Sequence, residues 1–156
     1  MKTLINFLFL ISFVNANITS YEKGVNFFEQ RGKEALGLKA NGKYINQAIN
    51  EFTLASKIDE NKLDAGIYLL RCYYFKGKFV AIDNQNRKEV FSKGKHLGEE
   101  LIALYPESPA VYYWYLVNLG SWSEVYGIFS AAKEGVANIM RSLSKKIIEL
   151  DSTYND

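Results

Sequence analysis

The sequence has one cysteine, one histidine and two prolines, and it carries little net charge. Each shortage excludes something. Cys72 alone cannot form an internal disulfide, and a lone cysteine among aromatic neighbours reads as a small buried hydrophobe rather than a nucleophile. His96 sits in the lysine-rich run Lys93-Gly94-Lys95-His96 and reads as a surface side chain. One His and one Cys, with no carboxylates at matched spacing, do not make a zinc site. Gly94-Lys95 lacks the earlier glycine and the following Ser or Thr of a phosphate loop. No serine lies in a nucleophile-elbow setting. Glu22, Glu99 and Glu100 read as solvated helix charges. No acid–base pair, nucleophile, metal site or cofactor site emerges, so the expectation is a binding protein and not an enzyme. A formal charge of +2 does not supply the basic face that phosphate binding needs, which excludes nucleic acid as the main partner.

The start of the chain reads as an address. Met1-Lys2-Thr3 is short and positive, Leu4 to Val14 is apolar except for Asn6 and Ser12, and Val14-Asn15-Ala16 has the small-residue ending of a signal peptide. Eleven apolar-run residues are too few to span a bilayer, which takes roughly 20. Cleavage is expected after Ala16, where no cysteine stands to take a lipid. Residues 1–16 are therefore expected as signal peptide and residues 17–156 as one domain, with no stable membrane insertion after cleavage. The bias toward Phe, Ile, Asn and Lys is that of an AT-rich bacterial genome, so the expected destination is the periplasm.

With prolines only at positions 106 and 109, long helices are permitted, and the apolar residues repeat at helical spacing. Ile45, Ala48, Ile49, Phe52 and Ala55 form one stripe. Ile67, Leu70 and Tyr74 form a second. Val90, Gly94, Leu97, Leu101 and Leu104 form a third, and Ala132, Val136, Ile139, Leu143 and Ile147 a fourth. No alternating stretch competes with them. Asn61 and Ser108-Pro109 read as helix starts, Asp83-Asn84-Gln85-Asn86 as the start of the next helix after a loop, and Gly42 and Gly77 as helix ends.

Ile58-Asp59 is followed by Leu104-Tyr105 and then Leu150-Asp151, each step being 46 residues. The spacing predicts about three helix pairs that must stack to bury a core. Gly42-Lys43-Tyr44, then Ala48, Phe52 and Ala55, fit the small, large, small code of a tetratricopeptide second helix. The usual period is shorter, about 34 residues. The expected fold is all-α: tetratricopeptide-like helical hairpins stacked as a short right-handed solenoid.

The second half carries a more specific pattern: Leu101-Ile-Ala-Leu-Tyr-Pro106, Tyr113-Trp114, Asn118-Leu119-Gly120, Glu124, Gly127-Ile128, and a long helix ending Ile148-Glu149-Leu150-Asp151. This resembles the tetratricopeptide-like family of TRAP-transporter T components (TatT). It is also similar to the regulator-of-microtubule-dynamics proteins. The resemblance implies an α-helical repeat domain. For the T components it further implies a periplasmic helper that associates with a substrate-binding protein and holds an apolar ligand. Family members are commonly lipoproteins, and they continue with further helices where this sequence reaches Asp156. A short variant, a truncated product and half of an interrupted frame all fit that end.

Aromatic residues are abundant. Tyr68, Tyr73, Tyr74, Phe75 and Phe79 form one cluster, and Tyr112, Tyr113, Trp114, Tyr115, Trp122 and Tyr126 another. On a helix, residues 112, 115, 116 and 119 share one face, and 114, 118 and 122 an adjacent one. Core packing explains most of them, since burying each ring stabilises a fold by roughly 1.5–3 kcal/mol. Asn118, between the two tryptophans, reads either as a tie to the irregular segment around Gly120 and Gly127 or as a polar anchor in an apolar pocket. The expected binding residues are Tyr73, Tyr74, Tyr112, Tyr113, Trp114, Asn118, Trp122 and Tyr126. In the leading reading they line a concave face that holds a protein partner, such as a periplasmic substrate-binding protein. In the alternative they enclose an apolar small molecule as part of a TRAP-type uptake system, in a closed cavity at Trp114, Asn118 and Trp122.

Overall fold

A computed structural model of the chain describes residues 18–154; the expected signal peptide and its cleavage point lie outside the described residues. Those residues are all-α. The helices are α1 (Ser20–Glu29), α2 (Gly42–Ala55), α3 (Lys62–Phe75), α4 (Asn84–Leu104), α5 (Pro109–Tyr126), α6 (Ile128–Lys133) and α7 (Val136–Leu150). A single 3-10 turn, Asp59–Asn61, leads into α3, and a π-helical turn, Lys76–Val80, continues it. Among the described residues no helix is long and apolar enough to cross a membrane.

Local chemistry sets most of the starts. Thr19 and Glu22 form a capping box: the Glu22 amide donates to Thr19 Oγ1 at 3.2 Å and the Thr19 amide donates to Glu22 Oε2 at 2.8 Å. Glu22 is thus a cap, and these hydrogen bonds hold its carboxyl below the usual range. Asn41 and Asp83 cap α2 and α4 by accepting from the Lys43 and Asn86 amides. Asn61 and Ser108 stand where expected, but neither side chain makes a cap bond; Pro109 at the first position begins α5.

Two glycines and two stripes depart from expectation, the third stripe because its last member, Leu104, is 56% exposed. Gly42 opens α2 rather than ending a helix. Gly77 is buried inside the π turn, where the Phe91 ring lies against its Cα and leaves no space for a side chain. The fourth stripe is broken: Ala132 is exposed on α6, and Gly135, at φ 67°, turns the chain before α7 begins. A left-handed residue cannot continue a right-handed helix. Val136, Leu143 and Ile147 keep the buried face that the spacing predicts.

Packing runs from neighbour to neighbour. α1 lies on α2, α2 on α3, α3 on α4, α4 on α5 and α5 on α7, while α3 also touches α5. Ile45, Ala48, Phe52 and Ala55 are fully buried, as the first stripe predicts. Close approach rests on small residues. A Cβ on Gly24 would stand 2.7 Å from the Phe52 ring, and one on Gly66 would stand 2.9 Å from Leu101. The core therefore holds α1 on α2 and α3 on α4 through equivalent glycine-to-apolar contacts.

Candidate functional site

α1, α3 and α5 bring one group of rings together. Tyr68 of α3 meets Phe28 of α1 at 5.3 Å between centroids and stacks on Phe52 of α2 at 4.6 Å. Tyr74 meets Trp114 of α5 at 6.1 Å, and Tyr113 lies edge-on to Trp114 at 5.3 Å. Tyr154, beyond α7, closes on Tyr113 at 5.6 Å. The Arg71 guanidinium sits among these rings, 4.7 Å from Tyr68, 4.8 Å from Phe28 and 5.5 Å from Trp114. Its Nε is buried and has no hydrogen-bond partner among the described residues. Arg31 lies beside it: its guanidinium is 4.0 Å from the Phe28 ring and its Nη1 donates to the Phe28 carbonyl at 2.9 Å.

Phe28, Arg71 and Trp114 stand at equal steps of 43 residues, one on each of α1, α3 and α5. The step read from the helix ends was 46. The two differ because the stretch from each of these residues to the next such end, Phe28 to Ile58, Arg71 to Leu104 and Trp114 to Leu150, lengthens by three residues at each step.

The expected binding residues divide. Tyr74, Tyr113 and Trp114 belong to this group. Tyr73 packs against the first core cluster, with Phe28, Ile45 and Phe52, and burial pushes its hydroxyl pKa up. Tyr112 packs against the second, with Tyr115, Leu119 and Leu143. Trp122 is 5% exposed, so it is core and not an open contact surface. It stacks on Tyr126 at 4.4 Å, and the Tyr126 hydroxyl shares a hydrogen bond with Ser92 Oγ of α4 at 3.0 Å.

Asn118 is fully buried. Its Nδ2 donates to the Leu70 carbonyl at 3.0 Å and the Trp114 carbonyl at 2.8 Å. It therefore ties α5 to α3, not to the segment around Gly120 and Gly127. Its Oδ1 faces Gly94 of α4, in the space that a side chain there would fill. Asn118 thus lies enclosed between α3, α4 and α5 and not on an open face.

Lys95 is the surprise of the lysine-rich run. It is 7% exposed, and its ammonium is pinned between Glu99 and Glu134 at 2.9 Å each, 5.3 Å from the Trp122 ring. Burial works against the charged form, but the two carboxylates outweigh it, and the net pKa shift is upward. Glu99, shared with His96 and the Tyr115 hydroxyl, is more than a solvated charge. Burial pushes the Tyr115 hydroxyl pKa up to about 12, and likewise the Cys72 thiol to about 12. Cys72 is the inert buried residue its surroundings predict.

A separate open cleft of about 380 Å³ lies between α5, α6 and α7, with Ile128, Ala131, Val136 and Met140 on its walls. None of the expected binding residues lines it. Comparison with protein-family models, with curated proteins and with solved structures returned no match.

Proposed function

We propose that the chain is an exported, tetratricopeptide-like solenoid of three hairpins, α1/α2, α3/α4 and α5/α7, that holds a protein partner on the face shared by α1, α3 and α5. The observation that carries this reading is the row of half-buried rings, Tyr68, Tyr74, Trp114, Tyr113 and Tyr154, set around one arginine. Tyrosine, tryptophan and arginine are the side chains that dominate interface energetics, because each brings apolar area together with a polar or charged end. The neighbour-to-neighbour packing supports the solenoid. The resemblance to TRAP-transporter T components makes a periplasmic substrate-binding protein the first partner to try. The reading assigns the chain to binding, with no catalytic role.

The test is capture from a periplasmic extract by the immobilised chain. Tyr113→Ala and Trp114→Ala should each cut recovery about tenfold, the effect of roughly 1.4 kcal/mol, with unchanged helical circular dichroism. Equal recovery by wild type and both variants would remove this face from the reading. A second reading, an apolar-ligand carrier, draws on the apolar cleft between α5 and α7. It requires a small molecule that co-purifies with the chain and is displaced by Met140→Trp.

A further inference from the structure

Arg71 is half-buried and, among the described residues, forms no ion pair. Among the described residues, Lys78 and Arg87 pair with Glu124, and Lys95 pairs with Glu99 and Glu134. No described carboxylate comes within ion-pair distance of Arg71 or Arg31, although both guanidiniums lie against the Phe28 ring. Two carboxylates border this face, Asp64 acting with Arg71 on the Tyr21 hydroxyl and Asp151 acting with Arg71 on the Tyr154 hydroxyl, but neither forms an ion pair with Arg71. Asp151 Oδ1 accepts from the Thr153 amide and hydroxyl at 3.0 and 2.9 Å. Two positive charges thus share an aromatic surface on which, among the described residues, neither is held in an ion pair.

The form of the site narrows what it fits. Cation–π contact uses the charge of a guanidinium and leaves the N–H groups along its edge to other partners. The outer nitrogens of Arg71 donate to no described residue, and that edge is a planar fork matched to the two oxygens of a carboxylate. The surrounding rings lower the local dielectric and strengthen the pair. They also provide Trp114 and Tyr74 as walls for an apolar side chain next to the carboxylate.

We infer that Arg71 is the recognition point for a carboxylate of a partner polypeptide, one flanked by an aromatic or aliphatic side chain that packs on Trp114. This rests on the partner-binding reading of the same face and gives that partner its chemistry.

The test is calorimetric titration of the full chain with acetyl-Gly-Gly-Phe bearing a free C-terminal carboxylate, and with the same peptide amidated. The acid should bind at least tenfold tighter than the amide. Arg71→Gln should abolish the difference, and Arg71→Lys, which keeps the charge without the planar fork, should reduce it. Equal affinity for acid and amide, or no heat from either at millimolar concentration, overturns the inference without any variant having to fold. A third arm uses 3-phenylpropanoate. Binding as tight as the peptide's would assign the site to a small free acid and overturn the polypeptide source. Peptide discrimination and extract capture are separate measurements. Capture that depends on Trp114 but not on Arg71 would leave the partner reading standing while this inference falls.

Discussion

Asn118 and Gly94 share one piece of space. The amide oxygen lies where a side chain at position 94 would begin, and the amide nitrogen spans α3 and α5. Gly94→Ala should therefore cost about 1–3 kcal/mol, the usual result of overpacking. Asn118→Ala should cost about 1–3 kcal/mol through the lost hydrogen bonds. The double variant should cost less than the sum, since the alanine at position 94 then meets no amide. Urea denaturation of the three proteins checks this; strict additivity would mean the two positions do not interact. The sequence marked Asn118 as unusual because an amide stood between two tryptophans. It could not show which backbone the amide reached, because Leu70 lies 48 residues away.

Cys72 and Tyr115 make alkaline pH costly. In the unfolded chain the thiol ionises near 9.0 and the phenol near 10.0, whereas in the fold burial raises each to about 12. Between those values the unfolded chain has lost protons that the folded chain retains, so stability falls as pH rises. The fall approaches 1.4 kcal/mol per pH unit for each group, as an order of magnitude. Cys72→Ala should flatten the fall between about pH 9 and about pH 11, measured as urea midpoints; an unchanged slope would mean the thiol is not protected.

The helices themselves were the most legible part. Their apolar spacing and the residues at their starts are local signals, and α2, α3, α4 and α5 follow them closely. The errors arose where tertiary packing decides. Gly77 resembles a stop, but the Phe91 ring rests on it inside a π turn. Gly135 sits inside an apolar stripe that looks continuous, yet its positive φ separates α6 from α7. Gly135→Ala should cost about 1–2 kcal/mol, the penalty for an ordinary residue in the left-handed region. Thermal or urea unfolding measures it, and a neutral result would indicate that α6 and α7 can join into one helix.

Across the molecule, the aromatic surplus divides between the half-buried group around Arg71 and the core. Trp122 packs in the core and the half-buried Tyr112 packs against it, because α4 and α7 close over one side of α5, a consequence of topology that no spacing within α5 reveals. Arg71 was missed for the opposite reason. A single arginine inside Tyr68–Phe75 is an anomaly in an otherwise apolar helix, and its relation to Phe28 and Trp114 emerges only when first helices are compared with first helices. Neighbour-only packing also predicts graded stability. Amides of α3, α4 and α5, held by contacts on two or more sides and by Asn118, should exchange slowest with deuterium. Those of α1, α6 and α7 should exchange faster, and uniform protection would indicate one indivisible cooperative unit.

The two tryptophans have separate fates. Trp114 is half-buried beside Arg71, and Trp122 is sealed against α4. The chain therefore carries two optical reporters in contrasting surroundings. Emission from Trp114 should respond to water, quenchers and whatever settles on the face, while emission from Trp122 should change only when the core opens. With single-tryptophan variants, occupancy and unfolding become distinguishable by colour, with no dye attached.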